Sequence, residues 1–212
     1  MAAEAKRNTI DIGGGGDRPR LFLALGVIAV CALVAGAAAA IEEKVAPCYT
    51  CHGEQGVSPT PEMPSIAGQP AYFLLIELFQ FRERQRDIPA MNEAVKGLSN
   101  DEIKAMADYL ARLAPPKPPV DSADRARVER GRALVAVHRC GFCHNPDFSG
   151  GEQMPRLAGQ REDYLRKALR DYKSGARPGY DPMMAIVLYP VSETDIDDLA
   201  HFLAHLAASD RR

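Results

Sequence analysis

Apolar positions along this chain recur with helical rather than strand spacing, and the pattern is written twice. Phe73, Leu74, Leu78 and Phe81 follow the i, i+1, i+5, i+8 stripe of a helix that buries one face, and Tyr164, Leu165, Leu169 and Tyr172 repeat it ninety-one positions later. Each stripe is preceded by the same punctuation, "PSIAGQ" at Pro64 to Gln69 and "PRLAGQ" at Pro155 to Gln160. Further on, "LSNDEIKAMADYLARL" and "VSETDIDDLAHFLAHL" match at an offset of ninety-three. Ser99 and Ser192 are predicted N-caps, with Glu102 and Asp195 placed to complete capping boxes. Ile103, Met106, Leu110 and Leu113 should face inward in one copy, and Ile196, Leu199, Leu203 and Leu206 in the other. The fold class that follows is all-α, two tandem copies of one helical domain.

Between the copies runs "APPKPPV", residues 114–120, whose four prolines cannot continue a helix and favour an extended linker. This sets a first domain at 41–113 and a second at 121–212. A different break comes earlier. Residues 21–40 carry no charge over twenty positions and follow Arg18 and Arg20, so they are read as an N-terminal apolar helix, either a signal-anchor or a cleaved signal peptide. Residues 1–20, with "GGGG" at Gly13 to Gly16, form a disordered leader. The remainder is then extracytoplasmic. An uncleaved anchor is favoured over a soluble, cleaved form. The helix expected ahead of Cys140 begins around Arg127 and carries Gly131 for close crossing against the terminal helix. Cleavage near Ala40 would remove its counterpart ahead of Cys48.

With 46% hydrophobic residues, 25% charged residues and a formal charge of −2, there is no basic excess to suggest nucleic acid. Charge is uneven between the copies. Residues 41–120 hold eight basic and eleven acidic groups, against fourteen of each at 121–212.

Four of the five cysteines fall in two runs, "CYTCH" at Cys48 to His52 and "CGFCH" at Cys140 to His144. The fifth, Cys31, sits in the apolar segment and reads as filler, since Val30 before it does not suit a lipoprotein signal. A Cys-x-x-Cys-His run lets two thiols add to the vinyl groups of a haem and sets the next histidine against the iron. Zinc knuckles and thioredoxin-like pairs share the two cysteines but need no histidine immediately after them, twice. The expected cofactors are therefore two covalently bound haem c groups. Their attachment residues are Cys48, Cys51, Cys140 and Cys143, and their proximal ligands His52 and His144. In an extracytoplasmic compartment these thiols would then form thioethers rather than disulfides. Each half is thin for a self-sufficient core, so neither half is expected to fold properly without its haem.

The opposite face of each iron needs a second ligand. Methionines recur in register as Met63 with Met154 and as Met91 with Met184. Met63 follows His52 too closely and lies in the segment that should give a backbone carbonyl to the imidazole N–H, a role that fits Pro64 and Pro155. Met91 and Met184 come after a full intervening helix, at matched distances before Ser99 and Ser192, and are the expected axial ligands. Met183 is the fallback and breaks the register. His138, His201 and His205 are read as structural, although His201 and His205 share a helix face at i, i+4. Arg82, Arg84, Arg86, Lys173 and Arg177 are read mainly as solvated surface, with haem propionates as the alternative partners.

The two attachment motifs, the paired "AGQ" segments, "CHGEQG" at Cys51 to Gly56 and the "LS" before the last helix of the first copy carry a family likeness. From about Val45 to Leu206 the chain resembles the two-haem class I cytochromes c of the cytochrome c-four type. The second copy departs from the pattern with "CHNPDFSGG" after Cys143. The resemblance implies two tandem class I cytochrome c domains, each wrapped around a covalent haem. It also implies an electron carrier on the periplasmic side of the bacterial inner membrane, working in a respiratory chain by outer-sphere transfer. Redox proteins would be its partners: a quinol-oxidising complex, a terminal oxidase or a dehydrogenase. Alternatives are a haem subunit of a periplasmic dehydrogenase complex and a di-haem peroxidase or thiosulfate-oxidising enzyme, which would need an open iron. Since a methionine is available for both irons, a carrier rather than an enzyme is expected.

Overall fold

A computed structural model of the chain describes residues 40–119, 123–177 and 182–207. The expected leader at 1–20 and, apart from Ala40, the apolar segment at 21–40 lie outside those residues. Among the described residues no helix is long and apolar enough to cross a membrane. The described residues from Ile41 onward form one compact unit.

The architecture is all-helical; among the described residues β-pairing amounts to one bridge, between Gly151 and Met154. In the first copy, helical residues 41–45 lead through a 3₁₀ turn at Ala46–Cys48 into α1 (Tyr49–His52). Then come α2 (Ala71–Arg82), α3 (Pro89–Ala94) and α4 (Asn100–Arg112). The second copy follows the same order, with α5 (Arg125–Val137), α6 (Gly141–His144), α7 (Glu162–Ser174), α8 (Met183–Leu188) and α9 (Glu193–Ala204). Both expected capping boxes are present. Ser99 Oγ accepts from Glu102 N–H at 3.2 Å and Ser192 Oγ from Asp195 N–H at 3.1 Å, while each acidic side chain accepts from the serine N–H.

Two cores form, one per copy. Leu74, Leu78 and Phe81 of α2 join Val45 and Ile103, Met106 and Leu110 of α4 in the first, with Leu113 partly buried at its edge. Val135, Leu165, Ile196, Leu199, Phe202 and Leu203 form the second with Phe148, and Leu206 packs at its edge. Each such side chain, fully buried, contributes about 1.5–3 kcal/mol of transfer free energy. Gly131 sits where α5 crosses α9, and a Cβ there would lie 2.4 Å from Phe202 Cβ and 2.5 Å from Asp198 O.

The helix ahead of Cys140 starts close to the expected Arg127. It begins at Arg125, because Asp124 caps it by accepting from Ala126 N–H at 2.9 Å. It stops at Val137, because Arg139 turns left-handed (φ 55°) and the Cys140 N–H bonds back to Val135 O at 3.0 Å, a Schellman closure. The cysteine–histidine run is thereby freed to make its own turn.

His201 and His205 have structural partners. His201 Nδ1 donates to Glu162 Oε2 at 2.8 Å, and its Nε2 accepts the Asp124 N–H at 2.9 Å. His205 Nδ1 donates to His201 O at 2.8 Å, near the C-terminus of α9. Glu162, His201 and His205 do converge, with one ligand-type atom from each within 4.8 Å of the others. Both nitrogens of His201 are already committed, however, which leaves that ring no lone pair for a metal.

The repeated "AGQ" segments meet one another. Gln160 accepts from Ser65 N–H at 2.9 Å and donates to Ser65 O at 2.8 Å. Gln69 accepts from Arg156 N–H at 2.9 Å and donates to Arg156 O at 3.1 Å. Each glutamine thus crosses to the other copy, as a pseudo-twofold pairing of duplicated units requires. The proline segment runs past both motifs: a Cβ on Gly68 would lie 2.8 Å from Pro115 Cβ, and one on Gly159 would lie 2.7 Å from Pro116 O. Both glycines also hold positive φ, 66° and 72°, so the glycine of each motif has two reasons to be there.

Replacing Gly131 with alanine is expected to cost about 1–3 kcal/mol through overpacking against α9. Calorimetry would show this as a lower Tm, whereas an unchanged Tm would mean that α5 withdraws from α9 without cost.

Candidate haem sites

Each cysteine–histidine run folds as one helical turn. Cys48 and Cys140 cap α1 and α6, and His52 and His144 are the last residues of those helices. Cysteines three apart on a turn share a face. Cys51 and Cys143 are exposed, while Cys48 and Cys140 pack against their own cores; none of the four is in a disulfide. Burial pushes the Cys48 and Cys140 thiols up, so they stay neutral against an apolar wall.

Both histidines are buried and held alike. His52 Nδ1 donates to Pro64 O at 2.8 Å and His144 Nδ1 donates to Pro155 O at 3.0 Å, the carbonyls expected from the sequence. A carbonyl only accepts, so the Nδ1–H tautomer is set and Nε2 keeps its lone pair. Burial pushes both imidazoles down from the ordinary histidine range, only partly offset by those carbonyls, which keeps them neutral. His144 Nε2 is fully buried with no hydrogen-bond partner. Such an atom costs about 1–3 kcal/mol if nothing binds it. A neutral imidazole with one nitrogen clamped and the other a buried lone pair, beside two thiols on one turn, fits an attached haem.

The departure "CHNPDFSGG" leaves this arrangement intact. Asn145 takes the positive-φ position (67°) that Gly53 holds at 78°, and its Nδ2 donates to Gly150 O at 2.7 Å. Phe148 O then accepts the Leu157 and Ala158 N–H groups at 2.9 and 3.1 Å, as Gly56 O accepts those of Ile66 and Ala67 at 2.8 and 3.1 Å. The inserted phenyl ring is buried edge-to-face on Phe202, with centroids 6.1 Å apart.

Met91 lies on α3 and Met184 on α8, each packed against the core of its own copy, whereas Met183 is 52% exposed. Asn92, beside Met91, is buried and ties α3 down by donating to Phe81 O at 2.7 Å and Arg86 O at 2.9 Å. Its counterpart in the second copy is Ala185; there Lys173 instead donates to Tyr189 O at 3.2 Å and to Val191 O beyond α8.

The reading of the arginine set as solvated surface fails at Arg177. That residue is buried, donates to Glu77 Oε1 of the first copy at 3.1 Å and to Tyr164 Oη at 3.1 Å, and stacks 4.7 Å from the Tyr172 ring centroid. Arg86 stacks equivalently on Phe81 at 4.6 Å and also pairs with Glu77. A buried guanidinium is stable there because a carboxylate and an aromatic face replace its water. Residue chemistry did not reveal this pairing, although the matched offset of Arg86 and Arg177 was a signal. The repeated glutamines were a second signal that went unread.

The same fold and motifs occur in known proteins. The cytochrome c family model matches residues 128–207. Cytochrome c4 of Pseudomonas aeruginosa is 32% identical over 197 residues, covering 88% of this chain and 96% of that protein. The chain belongs to the cytochrome c4 family. The crystal structure of reduced recombinant cytochrome c4 from Pseudomonas stutzeri superimposes with a TM-score of 0.72 at 28% identity, covering 80% of this chain and 98% of that one. The thiosulfate dehydrogenase electron acceptor of Thiomonas intermedia is 30% identical, covering 78% of this chain and 81% of that protein. As a member of the cytochrome c4 family the chain is a di-haem electron carrier, not an enzyme, and its cofactors are two covalently bound haem c groups.

Proposed function

We propose that Cys48 and Cys51 attach one haem and Cys140 and Cys143 the other. His52 and His144 are the proximal ligands, and Met91 and Met184 close the opposite faces. The observation that carries this reading is the duplicated clamp, His Nδ1 on a prolyl carbonyl, with His144 Nε2 buried and otherwise unpartnered. Bound haem c supplies a one-electron couple at each site, and histidine–methionine coordination raises its potential relative to two histidines. The chain's own residues do the rest. The cysteines fix each porphyrin edge, the prolyl carbonyls hold imidazole orientation and tautomer, and the two cores exclude water. A histidine and a methionine would hold each iron, so the haems would serve electron transfer without substrate chemistry. Two tandem domains, 41–113 and 121–212 with the 114–120 linker between them, give two redox centres in one chain.

Redox proteins are its partners, a quinol-oxidising complex or a terminal oxidase among them. The Thiomonas intermedia relative favours a second reading with the same chemistry, in which this carrier is the dedicated acceptor of a periplasmic dehydrogenase. Export to the periplasmic side of the inner membrane is supported by the charge-free run at 21–40 behind Arg18 and Arg20, and an uncleaved run would anchor the protein there.

Met91→Ala and Met184→Ala should each abolish the sulfur-to-iron charge-transfer band of one haem, while Met63→Ala leaves both bands; a native spectrum in either of the first two variants removes that assignment. The reduced native protein should bind carbon monoxide slowly or not at all and show no peroxidase turnover, and rapid binding would contradict closed axial sites. Intact-mass measurement of the membrane-extracted protein should find residues 21–40 retained; a mature chain starting between Gly36 and Ile41 would overturn the anchor.

A further inference from the structure

The histidine clamps and the glutamine cross-bonds share the same peptide groups. Pro64 O accepts from His52 Nδ1 at 2.8 Å, and the other end of that peptide, Ser65 N–H, donates to Gln160 Oε1 at 2.9 Å. In the second copy Pro155 O accepts from His144 Nδ1 at 3.0 Å, and Arg156 N–H donates to Gln69 Oε1 at 2.9 Å. Both glutamines are buried, as are Ser65 and Arg156. The peptide is a conjugated unit in which drawing on the N–H enriches the carbonyl oxygen. An acceptor on the N–H therefore makes the carbonyl a better acceptor for the imidazole.

We propose that Gln69 and Gln160 are positioning residues for electron transfer, each tuning the haem of the opposite copy through the peptide that holds its histidine. The inference rests on His52 and His144 being the proximal ligands. A stronger Nδ1–H···O bond gives the imidazole more anionic character, which favours the ferric state and lowers the potential. Gln160 does this for the haem attached at Cys48 and Cys51, and Gln69 for the haem attached at Cys140 and Cys143. The duplicated motif thus makes each potential depend on the other copy being docked. In the low dielectric of the interface, polarisation along the relay is about 10–30% per bond.

The test is an NMR-monitored redox titration of the full-length di-haem protein, reading each haem by its own methyl resonances. In Gln160→Ala, the first-copy haem should become more reduced, its ferrous-to-ferric ratio rising about threefold at fixed applied potential, with a smaller change in the second-copy haem. Gln69→Ala should do the reverse, and amide exchange at Ser65 or Arg156 should accelerate in the matching variant. A change confined to the glutamine's own copy, or none in either, overturns the proposal. Gln160→Glu keeps an accepting oxygen on Ser65 N–H and should hold the first-copy potential at or below the native value. If the potential instead rises as in the alanine variant while Ser65 N–H stays protected from exchange, the accepting oxygen does not set the potential and the proposal fails; should the alanine variants not fold, these two readings on Gln160→Glu decide. Hyperfine-shifted imidazole resonances separate the two readings. Their absence for His52 or His144 means the ligand assignment has failed, and their presence with unmoved potentials means only the relay has.

Discussion

The hydrogen bond from each buried imidazole to a prolyl carbonyl is the constraint on which the rest of the structure turns. It requires the chain after the histidine to double back within about a dozen residues and deliver one particular carbonyl to Nδ1. Everything local serves that return. Gly53 and Asn145 take positive φ immediately after the histidines, and Gly56 O or Phe148 O catches two successive amides just beyond the proline. With the carbonyl in place, tautomer and ring plane are fixed and Nε2 keeps its lone pair, buried and unpartnered at His144, where it is free to bind iron.

That same return carries the peptide to the surface where the copies meet. Because the unit is duplicated, one patch meets its own equivalent and every contact can be made twice: Gln69 on Arg156, Gln160 on Ser65, and the proline segment over Gly68 and Gly159. Four buried side-chain-to-backbone bonds of this kind contribute about 0.5–1.5 kcal/mol each. Their larger effect is on specificity, since docking in any other register would leave buried peptide groups without partners. The pairing is not perfectly symmetric. Glu77 has no acidic counterpart at Ala168, so a single carboxylate serves both stacked arginines, Arg86 and Arg177.

The copies also diverge around the helices that carry Met91 and Met184. Asn92 locks α3 to the end of α2 through two backbone carbonyls, whereas Lys173 reaches from α7 to the carbonyls that follow α8. A buried amide is a stiffer tether than a flexible ammonium stem. With the more acidic balance of residues 41–120, this gives the two redox sites different surroundings although they derive from one pattern.

Much of this was legible in the sequence because it depends on local spacing. The cysteine–histidine turns, both capping boxes, the buried stripes of α4 and α9 and the prolyl carbonyls are set by intervals of three, four, eleven or twelve residues. Helical periodicity and short loops translate such intervals directly into geometry. The end of α5 was not read from the sequence, because a left-handed Arg139 has no strong residue signal; glycine is the usual occupant of that position. The roles of Gln69, Gln160, Glu77 and Arg177 depended on contacts between residues about ninety to a hundred positions apart. The repeat showed by itself that there were two like units. Only tertiary structure decided which faces they present to each other, because docking depends on the three-dimensional match of polar groups left over after each core has formed, and periodicity along one chain does not encode that match.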